Sequence, residues 1–259
     1  MDYCRKVILL TGASSGIGRA TVLKLAAQEN KIAITARRKE LLAEVAEAVR
    51  NAGSECLTFP GDATNAKHAE KVVRDTVNRW GRIDIAILNV GAGPATNLLT
   101  SSAERILGCM RANYDSMVNF YVPVLRQMRA QTTRGLITHI NSLASYFGIP
   151  MQGDYTAAKA AARILFETAR MELEHFGVDH IRLQTIHPGF VSSKPKQDKL
   201  PRPNELSLEA AADHILRAIR SETPEYRFPA GMALATRVGR IAPLWLKTKI
   251  LLGAAPKQY

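Results

Sequence analysis

The sequence predicts one α/β domain: an open parallel sheet, doubly wound, with helices packed on both faces. Three observations carry that prediction. Short apolar runs of strand length alternate with amphipathic stretches of helix length along most of the 259 residues. The first apolar run leads at once into a glycine-rich turn that opens a helix. No internal repeat or low-complexity tract divides the chain, so residues 1–259 read as a single domain.

The first run, Lys6–Thr11, is apolar without alternation, as a parallel strand buried on both faces must be. Thr11-Gly12-Ala13-Ser14-Ser15-Gly16-Ile17-Gly18 follows and opens the helical stretch Arg19–Ala27. Strand, glycine turn and helix together aim backbone N–H groups at a pyrophosphate, with no side chain in the way. The plainer alternative is a tight strand-to-helix turn. Lys31–Ala36 is the second strand, ending eighteen residues after Gly18, where a dinucleotide-binding sheet reads the adenosine ribose. The chain there has Ala36-Arg37-Arg38. A carboxylate would suit a ribose 2′-hydroxyl, whereas guanidinium forks suit a 2′-phosphate, so NADP(H) is expected over NAD(H). The alternative is that both arginines simply begin the solvated helix Lys39–Asn51.

Glu55–Phe59 is the third strand, ending near Asp62 and Ala63, and Ala66–Arg79 is the next helix. Asp84–Asn89 is the fourth strand, followed by Gly91, Ala92 and Gly93, small residues that let a flat ligand lie against backbone. A long helical stretch, Ser101–Arg129, carries Asn113, and Pro123 within it predicts a bend or break. Gly135–Asn141 is the fifth strand and delivers Ser142 at its carboxyl end, where open α/β sheets keep their sites. Asp179–Ile186 is the sixth, running into His187-Pro188-Gly189-Phe190-Val191-Ser192-Ser193. Residues 192–206 read as a loop over the site, Ser207–Ser221 as a helix and Tyr226–Pro229 as a last strand.

Tyr155 and Lys159 stand four apart on the helix after Ser142, so phenol and ammonium share one face, and Ser142 lies thirteen residues before the tyrosine. Alone, such a pair is usually solvated and inert. Beside a glycine turn and a strand-end serine it becomes an acid/base unit: the cation favours phenolate and should lower the Tyr155 pKa, while Ser142 donates to a substrate carbonyl.

Composition narrows the rest. Cys4, Cys56 and Cys109 are distant from one another and odd in number, a poor disulfide framework, and neither they nor the six scattered histidines have metal-ligand spacing. His187, for one, reads as a loop residue. No metal is expected. No apolar run reaches the length of a membrane span and the N-terminus lacks a signal-peptide core, so a soluble, cytoplasmic protein is expected. The net charge of +12 comes with no nucleic-acid motif, its cations are dispersed, and nucleic acid is not an expected partner. Residues 226–259 hold no acid; their mixture of cations and Leu, Ile and Trp suits peripheral contact with an anionic membrane, or packing on the domain or on a partner subunit with the cations in water, with Pro243 interrupting the helix.

In order and spacing these motifs resemble the short-chain dehydrogenase/reductase family, over Lys6 to about Ser221. The resemblance implies a seven-stranded Rossmann sheet, with Ser142, Tyr155 and Lys159 as catalytic residues and Asn113 as a fourth that supports a relay water. It implies that Tyr155 and Lys159 also bind the cofactor, Lys159 holding the nicotinamide ribose. Gly12, Ser14, Ser15, Gly16, Ile17 and Gly18 would bind the cofactor, as would Pro188, Gly189, Val191 and Ser193 near the nicotinamide. Asp62 and Ala63 look like the adenine-contacting pair, and Arg37 and Arg38 stand at the family's cofactor-selecting position. Leu88-Asn89-Val90-Gly91 departs from the family's Asn-Asn-Ala-Gly but keeps Asn89 and Gly91. The implied activity is NADPH-dependent reduction of a ketone or aldehyde, or the reverse oxidation, by a homodimer joined through the Asn113 and Tyr155 helices. The C-terminal extension 230–259 departs from the family's tetrameric members. The competing functional reading is a non-catalytic NADP-binding regulator on the same fold.

Overall fold

The computed structural model describes residues 1–192, 204–221 and 223–253. Seven strands form one parallel sheet: β1 (Val7–Thr11), β2 (Lys31–Ala36), β3 (Glu55–Pro60), β4 (Ile85–Leu88), β5 (Gly135–Ile140), β6 (Ile181–Pro188) and β7 (Glu225–Phe228), in the order β3-β2-β1-β4-β5-β6-β7. Helices α1 (Gly16–Ala26), α2 (Lys39–Asn51) and α7 (Leu208–Arg220) cover one face. On the other lie α3 (Ala66–Trp80), α5 (Ser116–Ala130) and α6 (Gly153–His175). The alternation of side chains along each strand divides the core: Ile8, Leu10, Ile32 and Ile34 pack under the first helices, Leu9, Ala33 and Ala86 under the second. Every residue of β1, β4 and β5 is buried, which is why these strands read as unbroken apolar runs. The winding reverses between β1 and β4, and the crevice beyond their carboxyl ends is where such sheets hold ligands.

The long helical stretch departs from expectation. It divides into α4 (Ala103–Met110), a π turn at Arg111–Asp115, and α5. Pro123 stands inside α5 without ending it, at a half-buried position where a single backbone hydrogen bond is forgone. The irregularity falls at Asn113 instead, because its side-chain Nδ2 donates to the Cys109 carbonyl at 3.0 Å, the acceptor that an α-helix reserves for the Asn113 N–H.

After β7 the chain forms α8 (Ala230–Ile241) and α9 (Leu244–Gly253), with Pro243 between them. Helix α8 packs on β7 and on the 3₁₀ turn Leu143–Tyr146 that follows Ser142. None of the described helices is long and apolar enough to cross a membrane.

Candidate active site

The glycine turn is shaped by sterics. Gly12 and Gly16 have φ of +72° and +57°, conformations costly for other residues, and a Cβ on Gly18 would come within 2.3 Å of the Gly12 carbonyl oxygen. Asn89 fastens the turn to the end of β4: its N–H donates to Thr11 Oγ1 at 3.0 Å and its Nδ2 to the Thr11 and Gly12 carbonyls at 3.2 and 3.3 Å. Ser15 stands at the N-cap of α1, yet its side chain caps no amide, and the first turn holds no acidic residue. The positive end of α1 is therefore unscreened behind a bare-backbone turn, a cradle that fits the pyrophosphate of a dinucleotide. Ile17 is half-buried and packs against the core under the turn.

At the end of β2, Arg37 and Arg38 are both exposed. One Nη of Arg38 donates to Ser14 Oγ at 3.1 Å and to Ser15 Oγ, so its guanidinium lies along the glycine turn. Asp62 accepts from the Thr64 N–H and hydroxyl, each at 2.9 Å; these bonds first, and the nearby Arg37 charge after them, hold its carboxyl below the usual range. Ala63 is buried beside it, and its carbonyl accepts from Asn119 Nδ2 at 3.1 Å.

Ser142, Tyr155 and Lys159 converge beyond β5. Lys159 is 2% exposed, lies 5.8 Å from the Tyr155 ring centroid, and donates from Nζ to the Ile140 carbonyl at 3.1 Å. Asn141 stitches strand to helix, its Nδ2 donating to the Lys159 carbonyl at 3.0 Å and its Oδ1 accepting from the Ser142 N–H at 2.8 Å. Gly91 and Gly93 pass directly over this group: a Cβ on Gly91 would lie 2.8 Å from Lys159 Nζ, and one on Gly93 2.7 Å from the Tyr155 ring. Asn113 is fully buried and its amide is committed, donating to the Ala92 carbonyl at 2.8 Å and accepting from the Ala92 N–H at 3.1 Å.

The electrostatics correct one expectation. The Tyr155 phenol is pushed up, first by burial, although hydrogen bonding with Ser142 pulls against this. Burial likewise pushes Lys159 down to about 8. The spacing alone implied a cation lowering the phenol; in the fold both groups are deep enough that desolvation of the charged forms dominates. What results is a phenol that keeps its proton, beside a lysine that is cationic at neutral pH and loses its charge just above it. Cys109, pushed up to about 11 chiefly by burial, stays a thiol.

Sequence reasoning passed over His187. It is fully buried on β6, and its Nδ1 lies 3.1 Å from the Ser142 carbonyl. That oxygen only accepts, so Nδ1 carries the proton, leaving Nε2 to face the Tyr146 hydroxyl at 3.2 Å. Burial pushes the imidazole down to about 3, so it holds this neutral form at any working pH. Tyr146 accepts in turn from Arg227 Nε at 2.8 Å, and the guanidinium of Arg240 on α8 sits 5.1 Å from its ring centroid. The Ser142 backbone is thus held from behind by a chain of contacts reaching β7 and α8.

Pro188 ends β6; the Gly189 N–H donates to the Phe228 carbonyl at 2.7 Å, and Val191 bridges to Leu206. Ser193 and most of the loop 192–206 lie outside the described residues. Among the described residues no group of His, Cys, Asp and Glu is arranged to hold a metal.

A family model described as short chain dehydrogenase matches residues 6–203. The curated protein 11-beta-hydroxysteroid dehydrogenase A of Sesamum indicum is 34% identical over 246 residues, covering 85% of this chain and 68% of its own. An alcohol dehydrogenase structure from Thermococcus sibiricus, complexed with 5-hydroxy-NADP, is 26% identical with a TM-score of 0.75, covering 86% of this chain and 94% of its own. The fold is also that of a short chain dehydrogenase/reductase from Burkholderia phymatum in complex with NAD, at TM-score 0.84 and 21% identity, covering 100% and 99% of the two chains. With the matched segment running from β1 past β6, and with the sheet order and glycine turn described above, the chain belongs to the short-chain dehydrogenase family, oxidoreductases that use a nicotinamide cofactor.

Proposed function

We propose that this protein reduces an apolar ketone or aldehyde with NADPH, using Tyr155 as the proton donor. The observation that carries the proposal is the convergence of Ser142, Tyr155 and Lys159 beneath Gly91 and Gly93, beside the glycine turn. Bound NADP(H) supplies the hydride. Tyr155, its phenol protonated, gives its proton to the carbonyl oxygen as negative charge develops there. The Ser142 hydroxyl accepts from the Ala144 N–H at 3.1 Å, and its own proton, directed at the Tyr155 oxygen, would turn to the carbonyl oxygen when substrate is bound. Lys159 uses one ammonium N–H on Ile140, leaving two for the nicotinamide ribose and the phenol oxygen. With the Asn113 amide spent on Ala92 and Cys109, a relay water would be held by the Asn113 backbone carbonyl. Gly12, Ser14, Ser15, Gly16, Ile17, Gly18, Asn89 and Gly91 would line the dinucleotide, with Asp62 and Ala63 at the adenine and Pro188, Gly189 and Val191 at the nicotinamide. Arg37 and Arg38, with Ala36 where a carboxylate would select NAD, favour the 2′-phosphate of NADPH.

A homodimer through α5 and α6 is part of this reading. Ile164 and Met171 on α6 and Val122 on α5 are 50%, 58% and 45% exposed, an apolar face of the kind a helix pair covers.

The substrate class is tested with a panel of aliphatic ketones and aldehydes of increasing chain length, assayed by loss of NADPH absorbance. Specificity should rise with chain length; a preference for short, charged carbonyls would overturn the apolar assignment. The pH dependence follows from the two buried groups. The Lys159 cation is present below about 8 and lost above it, whereas Tyr155 keeps its proton past the ordinary phenol value. Because kcat/KM reports the free enzyme, the reductive profile should be level near neutrality and fall as pH rises through about 8. A profile level to about pH 10, the ordinary phenol value, would show that the lysine charge is not used.

A further inference from the structure

We propose that the outer face of α8, together with α9, is a surface that lies on an anionic lipid bilayer. Helix α8 turns its inner side to the domain, with Thr236 buried, and leaves Leu234, Val238 and Ile241 exposed at spacings of four and three, on one face. Ile241 is 86% exposed. Helix α9 has no buried residue, although most of its ten residues are apolar, and exposes Leu244, Trp245, Ile250 and Leu252. Arg237, Lys247 and Lys249 lie among these side chains, and among the described residues no carboxylate pairs with them. From Tyr226 to Tyr259 the sequence has no acidic residue.

The charge pattern selects the occupant. In a two-fold contact of these helices with those of a second copy, each patch would meet its own cations, and neither α8 nor α9 carries a carboxylate to answer them. An anionic bilayer answers both features, phosphates for the cations and an apolar boundary for the leucines, isoleucines and the indole. A ten-residue helix is about 15 Å long, half a hydrocarbon core, so α9 lies in the interface and does not cross it. The surface also borders the candidate site. Met232 of α8 closes on Gly189, where a Cβ would lie 2.8 Å from its Sδ, and Gly239 approaches the ring of Phe147, past the 3₁₀ turn after Ser142. Resting on the reductase reading, the consequence is that an apolar carbonyl compound dissolved in the bilayer reaches the site directly from the lipid.

The chain has two tryptophans, so Trp80→Phe leaves Trp245 as the sole indole reporter. This protein is mixed with vesicles of phosphatidylglycerol and phosphatidylcholine, and with phosphatidylcholine vesicles alone, at low and high salt. Co-sedimentation and a blue shift of Trp245 emission are expected with the anionic vesicles at low salt, and loss of both at high salt or on the neutral vesicles. Neutralising the patch by Arg237→Gln, Lys247→Gln and Lys249→Gln should weaken partitioning roughly 100-fold, and Val238→Asp with Ile241→Asp should do likewise. Absence of anionic-vesicle binding overturns the proposal, as does concentration-dependent self-association that Trp245→Glu abolishes while lipid leaves the emission unchanged. Should a variant unfold, the salt and lipid arms on the Trp80→Phe protein still decide. These arms contain no substrate, so their failure is distinct from failure of the reductase reading. Delivery is read separately: a long-chain ketone held in anionic vesicles should turn over faster with the native patch than with the neutralised one, and equal rates overturn it.

Discussion

Tyr155→Phe is expected to bind NADPH as the native protein does and to lose turnover, with kcat down by roughly 100-fold or more. The substitution removes one oxygen from a ring whose face packs against Gly93, so the shape of the site is kept and only the proton donor goes. The upward shift of the phenol sharpens the expectation. A tyrosine protonated throughout the working range is already in the form that reduction needs, so its loss cannot be hidden by choosing a favourable pH. Ser142 and Lys159 remain and can still polarise a carbonyl, which leaves residual activity rather than none. Steady-state kinetics with a saturating carbonyl substrate, alongside NADPH binding by fluorescence, separates the two effects. Turnover near the native rate in a variant that binds cofactor would remove Tyr155 from the chemistry.

Replacing Arg37 and Arg38 together by Ala should weaken NADPH binding by about 2–4 kcal/mol, a loss of roughly 30- to 1,000-fold, while NADH affinity changes little. Both guanidinium groups are exposed, so solvent screening places the result toward the lower end. Of the two, Arg38 is the better placed, since its contacts with Ser14 and Ser15 already hold its fork along the turn. Arg38→Lys should recover only part of the affinity, because an ammonium is a point charge without the paired donors. Titration of each variant with both cofactors provides the check. Equal affinity of the native protein for NADH and NADPH would contradict the assignment.

The strands were legible because a parallel sheet buries both faces of each strand, so Val7–Thr11 and Gly135–Ile140 stand out as apolar runs without any knowledge of their neighbours. The glycine turn and the juxtaposition of Tyr155 with Lys159 were legible for a similarly local reason: each lies at a fixed spacing within one turn or one helix. The π turn was not. There the Asn113 side chain takes the Cys109 carbonyl while it is also held by Ala92, a contact across 21 residues that sequence periodicity does not register, whereas the visible signal, Pro123, is absorbed by its helix. The role of His187 was hidden for the same reason, since only the finished sheet sets β6 beside the Ser142 carbonyl. The direction of the Tyr155 shift depends on depth of burial, which an i, i+4 spacing does not state.

NADPH-dependent carbonyl reduction at the Tyr155 site is checked by stoichiometry. Purified protein, NADPH and a long-chain ketone are incubated together, and cofactor consumed is compared with alcohol formed. Equal amounts of NADPH lost and alcohol gained are predicted, with NADH a far poorer partner and the Tyr155→Phe protein producing almost none. NADPH binding without alcohol from any ketone or aldehyde, or alcohol formed at the same rate by the Tyr155→Phe protein, would contradict it.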